Sequence, residues 1–136
     1  MTRPMPACPL RPRFQSASRR AFWLSFAAVL VLTQVPGNTL PAVLFDWWDK
    51  AQHALAFATL FLLGRLGYPP EKTFRLLAGL ALFGAVIEVL QALTGWRTGD
   101  VEDWVADVAG LAIGWTLGQC ALLWHRFAID KPPGLR

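Results

Sequence analysis

Between Thr73 and Trp124 two apolar stretches, each about as long as the roughly 20 residues a helix needs to cross a bilayer, flank a linker that carries charge of both signs. The segment from Glu88 to Gly110, EVLQALTGWRTGDVEDWVADVAG, holds Glu88, Arg97, Asp100, Glu102, Asp103 and Asp107. A charged side chain at bilayer mid-depth costs about 2.5 to 3.5 kcal/mol on insertion scales, and less nearer the surface. Such groups must therefore be paired, hydrated, protonated or turned into a protein interior. This restricts the chain to folds in which helices bury a polar site among themselves.

Two further apolar runs precede this pair. Ala21 to Val35, AFWLSFAAVLVLTQV, ends at Pro36 and Gly37 and is short for a span unless the preceding turn joins it. It also has the basic flank and brief apolar core of a signal peptide, but no AxA cleavage site follows it and further spans do. A Pro-rich connection with Trp47 and Trp48 leads to the second run, Asp49 to about Tyr68, which Pro69 and Pro70 terminate. The third span covers Thr73 to Thr94 with Gly95 placed to cap it, and the fourth covers Val101 to Trp124. The expected architecture is all-α, a four-helix transmembrane bundle at residues 21–125. A basic tail, disordered over residues 1–20, precedes it, and a short tail at 126–136 follows.

Composition agrees with a membrane solvent: 54% hydrophobic, 16% charged and a mean hydropathy of +0.38. The seven Trp lie mostly beside the apolar runs, where interfacial belts form. The net charge of +4 comes from basic residues scattered at segment ends, which excludes a nucleic-acid stripe. Cys8 and Cys120 form no CxxC pair. With both termini in the cytoplasm, eleven of the thirteen Lys and Arg fall on the cytoplasmic side and only Lys50 and Arg97 on the other. Of the nine acids, only Glu71 and Asp130 fall inside. Polar chemistry collects at the outer face of a cell-membrane protein.

Helical spacing then sorts the faces. Asp49, His53 and Phe57 share one stripe of the second span, and Gly84, Glu88 and Gln91 one stripe of the third. In the fourth, Asp103, Asp107, Gly110, Gly114 and Gly118 line up, and the three Gly make a double GxxxG pattern that lets helices approach closely. Glu88 lies seven residues before Gly95 and Asp107 seven after Asp100, which puts both about 10 Å below their helix ends. His53 is slightly shallower, and Arg97 is long enough to reach down to either acid. Glu88, Asp107, Arg97 and His53 are expected to converge in a pocket open to the outer side. Asp100 and Glu102 read as helix-cap acids, and Asp103 as a cap or a pocket residue. Lys50 reads as an interface residue or an anion contact. The sequence offers neither HxxxH nor ExxH, so no metal and no other cofactor is expected.

The pieces DKxxHxxxF (Asp49, Lys50, His53, Phe57), ExxQ (Glu88, Gln91), Arg97 after a Gly-containing turn, and DxxxDxxG followed by Gly114 (Asp103, Asp107, Gly110) resemble the VanZ-like family of small bacterial membrane proteins. The likeness runs over residues 45–118 and departs from many members at Asp107, where they carry Asn. It implies a link to resistance against teicoplanin-type glycopeptides and names no chemistry. Two functions follow from the residues. One is a pocket that binds a polar or anionic headgroup, a lipid-linked envelope precursor or a partner protein, through Arg97 and Lys50 oriented by Asp49, Gln91, Asp103 and the other acids. The other is a small intramembrane enzyme with His53 or Glu88 as general base or acid.

Overall fold

The computed structural model describes residues 12–35, 48–95 and 99–129, the side chains of 48, 49 and 125–129 excepted. The expected tail at residues 1–11, the Pro-rich connection with Trp47 and the C-terminal tail from 130 lie outside the described residues. Four helices follow in order: α1 Pro12–Gln34, α2 Trp48–Gly67, α3 Thr73–Thr94 and α4 Val101–Ile129, with a single 3-10 turn at Pro70–Lys72 between α2 and α3. No strand occurs among the described residues.

The breaks have local causes. Pro69 and Pro70 prevent α2 from continuing, and the Thr73 N–H donates to the Pro70 carbonyl, closing the 3-10 turn that leads into α3. Gly95 ends α3 at φ 77°, a left-handed conformation that costs a residue without a Cβ little. Asp100 caps α4: its Oδ1 accepts the Glu102 N–H at 2.8 Å, and its carbonyl accepts the Asp103 N–H at 3.0 Å.

Two helix ends differ from the spacing-based expectation. α1 is helical from Pro12, the first described residue, so residues 12–20, expected to be disordered tail, are helical. The added turns also dock: Arg19 Nε donates to the Gly67 carbonyl at 2.6 Å and its guanidinium stacks 5.2 Å from the Tyr68 ring centroid. A cation on the last carbonyls of α2 favours the helix dipole, a contact invisible to a reading of α1 alone. At the other end of the chain, α4 continues past Trp124 to Ile129.

α2 is the central helix, packed most extensively on α4 and then on α1. The core is half aromatic and half aliphatic: Phe22 of α1, Phe57, Leu60 and Phe61 of α2, Leu80, Phe83 and Ile87 of α3, and Leu111 of α4. Phe26 stacks on Phe83 at 3.8 Å between centroids, and Phe57 stacks on the same ring at 6.0 Å. Around this core large apolar side chains point outward, among them Leu24, Leu55, Phe74, Leu82, Leu93 and Trp124. α3 with the preceding turn, Pro70–Thr94, and α4 over Val101–Trp124 are each long and apolar enough to cross a membrane. Only 28% and 22% of those windows is buried, which distinguishes them from core helices of a soluble domain.

Candidate functional site

α2 and α4 meet along small residues. A Cβ on Gly110 would collide with the Ala54 backbone, and one on Gly114 would lie 2.9 Å from the Ala58 carbonyl oxygen. Gly118 is looser, its nearest atom being Leu62 Cδ2 at 3.9 Å. The close seam thus pairs Gly110 and Gly114 of α4 with Ala54 and Ala58 of α2, and it fixes the height of His53 against Asp107.

At that height His53 Nδ1 lies 2.9 Å from Asp107 Oδ1, with the ring 7% and the carboxylate 0% exposed. Glu88 comes in from α3. One ligand-type atom from each of His53, Glu88 and Asp107 lies within 4.8 Å of the others. The cluster sits one turn from the apolar core, since Phe57 follows His53 and Leu111 follows Asp107 by four residues, and Ile87 precedes Glu88. It forms a polar layer closing one end of an apolar interior.

Each acid is half satisfied. Glu88 Oε2 accepts the Asp100 N–H at 2.7 Å, which ties α3 to the start of α4. Gly99 allows this approach, because a Cβ there would strike the Glu88 carbonyl oxygen. Glu88 Oε1 and Asp107 Oδ2 are buried with no hydrogen-bond partner among the described residues. Asp107 Oδ2 faces Gly84, whose Cβ, if it had one, would lie 2.5 Å away. Leaving a buried polar atom unsatisfied costs about 1–3 kcal/mol, more for a charged group, so the two oxygens demand a proton, a cation or a donor from a ligand.

Above the cluster runs a more exposed acidic rim. Lys50 Nζ lies 2.9 Å from Glu102, 3.4 Å from Asp103 and 3.6 Å from Asp100. Asp103 is the deepest of the three, its side chain 13% exposed. Beside the rim a shallow open groove is lined by Lys50, Val101, Glu102, Val105, Ala106 and Ala109; none of His53, Glu88 and Asp107 lines it.

The sequence-derived residues thus separate. His53, Glu88 and Asp107 meet, Lys50 and Asp103 form the rim above them, and Gly110 and Gly114 set the helix seam. Gln91 does not join: it is 1% exposed and its Nε2 donates to the Thr33 carbonyl at 2.9 Å, tying α3 to the end of α1. Arg97 and the side chain of Asp49 lie outside the described residues. Spacing puts Asp49 one turn from His53 on its own helix and matched depth brings Asp107 to it from α4; the Asp107 contact is present, and the Asp49 side chain lies outside the described residues. Ala54, Ala58, Gly84, Gly99 and the Asp100 N–H also build the site. Of these, only the Ala54–Ala58 spacing carries a signal beyond those used, a small-xxx-small pattern that matches the Gly stripe.

A four-helix bundle with an exposed apolar surface and a buried histidine–carboxylate cluster defines a small helical membrane protein. The chain belongs to the VanZ/LLP1 family, whose model matches residues 9–123. No curated protein and no solved structure matches it.

Proposed function

We propose that this VanZ-family protein is a multi-pass protein of the bacterial cytoplasmic membrane. It crosses four times with both termini inside, and its outer-face site takes the polar headgroup of a lipid-linked envelope precursor. Through that contact it changes susceptibility to teicoplanin-type glycopeptides. The observation that carries the reading is the convergence of His53, Glu88 and Asp107 from three helices on a buried point with two unpartnered carboxylate oxygens. Polar groups at such depth default to function.

The rim sharpens the headgroup chemistry. Lys50 already faces three carboxylates, so its ammonium is no free anion anchor. The acidic rim favours a headgroup that presents hydrogen-bond donors, such as sugar hydroxyls, amides or an amine, to Asp103 and its neighbours, above the buried Glu88 Oε1 and Asp107 Oδ2. The test is a strain expressing the wild type or His53→Gln, Glu88→Gln or Asp107→Asn at matched accumulation. Teicoplanin susceptibility should return to that of the empty strain in each variant. Wild-type behaviour in all three, with normal protein levels, overturns the reading.

The His53–Asp107 pair favours a second reading, an intramembrane enzyme acting on a lipid-linked substrate. An imidazole held at 2.9 Å by a buried carboxylate is oriented to pass a proton, with Glu88 as the second acid or base. Mass spectrometry of lipid and precursor pools separates the two. Species that appear or vanish with the wild type and not with Glu88→Gln support catalysis, and unchanged pools with an intact phenotype oppose it.

A further inference from the structure

We propose that His53, Glu88 and Asp107 bind one first-row divalent metal ion of the Zn²⁺ or Mn²⁺ class, held by an imidazole nitrogen and by oxygens of both carboxylates. The ligand atoms come from α2, α3 and α4 and lie within 4.8 Å of one another. Bonds of about 2.0–2.2 Å to nitrogen and oxygen put neighbouring ligand atoms about 3 to 3.5 Å apart. The 2.9 Å between His53 Nδ1 and Asp107 Oδ1 is already at that spacing, and a Glu88 oxygen lies within 4.8 Å of a ligand-type atom on each of the two residues.

A second, independent observation points to a ligand. Glu88 Oε1 and Asp107 Oδ2 are enclosed with no donor against them, and Asp107 is 0% exposed. Among the described residues no Lys or Arg pairs with either acid, since Lys50 faces Asp100, Glu102 and Asp103. Among the described residues these two carboxylates in a low-dielectric layer thus have no Lys or Arg as a fixed positive partner, the electrostatic state a cation site presents. The mixed donor set chooses the ion: imidazole disfavours Mg²⁺ and Ca²⁺, and the absence of thiolate disfavours the softest metals. The surroundings have the form of an outer shell, with the Asp100 N–H fixing Glu88 at 2.7 Å. Three protein ligands leave a coordination position for water or for an oxygen of an incoming molecule.

The inference does not depend on which headgroup the protein takes, because the ion itself is the readout. The full chain is purified in detergent, stripped with chelator and titrated with Mn²⁺ and with Zn²⁺ by calorimetry, with elemental analysis of unstripped protein alongside. One ion per chain is expected. Asp107→Asn and Glu88→Gln should each weaken binding at least about 10-fold, the lower end of what losing even an outer-shell partner costs. Glu102→Gln on the exposed rim should leave it unchanged. Helix content and elution profile report folding. Should Asp107→Asn misfold, Glu88→Gln carries the test, because its amide oxygen still accepts the Asp100 N–H. No stoichiometric binding by the wild type, undiminished binding in Glu88→Gln, or an equal loss in Glu102→Gln overturns the metal site. Loss of the metal site with variant-sensitive drug susceptibility leaves the headgroup reading standing. Metal bound without any phenotype removes the headgroup reading alone.

Discussion

At the scale of single residues, charge and hydrogen bonding at Glu88 are separable. Its Oε2 closes the turn into α4 through the Asp100 N–H, while Oε1 is left toward the cluster. Glu88→Gln keeps an acceptor for Asp100 and removes the charge, so the melting temperature in detergent should stay near wild type while site function is lost. Glu88→Ala removes both and should also cost about 1–3 kcal/mol of stability. Equal melting temperatures for the Gln and Ala variants would show that the Asp100 contact contributes nothing. Gln91→Leu should behave in the opposite way. It strands the Thr33 carbonyl and destabilises by about 1 kcal/mol, yet leaves drug susceptibility and metal binding alone, because Gln91 belongs to the α1–α3 contact. Which residues share a helix face was legible, since 3.6-residue periodicity fixes that locally. Matched depth also brought His53, Glu88 and Asp107 together, but not the atoms that meet, because those depend on the rotation of α4 against α2, and Gln91 turns to α1 at a height no spacing encodes.

At the scale of elements, the α2–α4 seam does the positioning. In lipid the hydrophobic effect does not drive helices together, so close packing of small residues carries the association. The three Gly of α4 are graded by what faces them: Ala54 backbone at Gly110, the Ala58 carbonyl at Gly114, and only a leucine methyl 3.9 Å away at Gly118. Replacement by Ala should follow that order. Gly110→Ala forces the backbones apart and should cost about 1–3 kcal/mol, Gly114→Ala less, and Gly118→Ala close to nothing, read by thermal unfolding in one detergent. Gly110 is also three residues from Asp107, so separating the helices there lengthens the 2.9 Å contact to His53 and should weaken metal binding together with stability. A Gly118→Ala variant as damaged as Gly110→Ala would refute this account of the seam. The GxxxG pattern announced that α4 packs closely. It did not name α2 as the receiving helix, although Ala54 and Ala58 repeat the same interval there.

At the scale of the whole molecule, the two ends of the bundle differ in chemistry, and the difference orients it. One end carries Arg19 on the Gly67 carbonyl and the Tyr68 ring, with Arg65, Lys72 and Arg75 close in sequence. The other carries Lys50 among Asp100, Glu102 and Asp103, above the buried cluster. The number of helices and the fold class were legible because the first three apolar runs end at Pro or Gly and charged linkers separate the spans; the fourth meets no such stop, and its helix runs on to Ile129. The start of α1 was not, because residues 12–20 have no apolar period and are held by tertiary contacts through Arg19. Lys and Arg near span ends are retained in the cytoplasm, so the Arg19 end should face inward and the acidic end outward. Alkaline phosphatase, active only outside the cytoplasm, should be inactive when fused after Tyr68 and active after Arg97, and a fluorescent protein that matures only inside should report the reverse. Matching signals at the two positions would sink the four-span arrangement. An inverted pattern would keep the spans and turn the His53–Glu88–Asp107 layer toward the cytoplasm. Envelope precursors complete on the outer leaflet would then be out of its reach, and the headgroup reading would fail while the metal site, which depends only on the three side chains, would not.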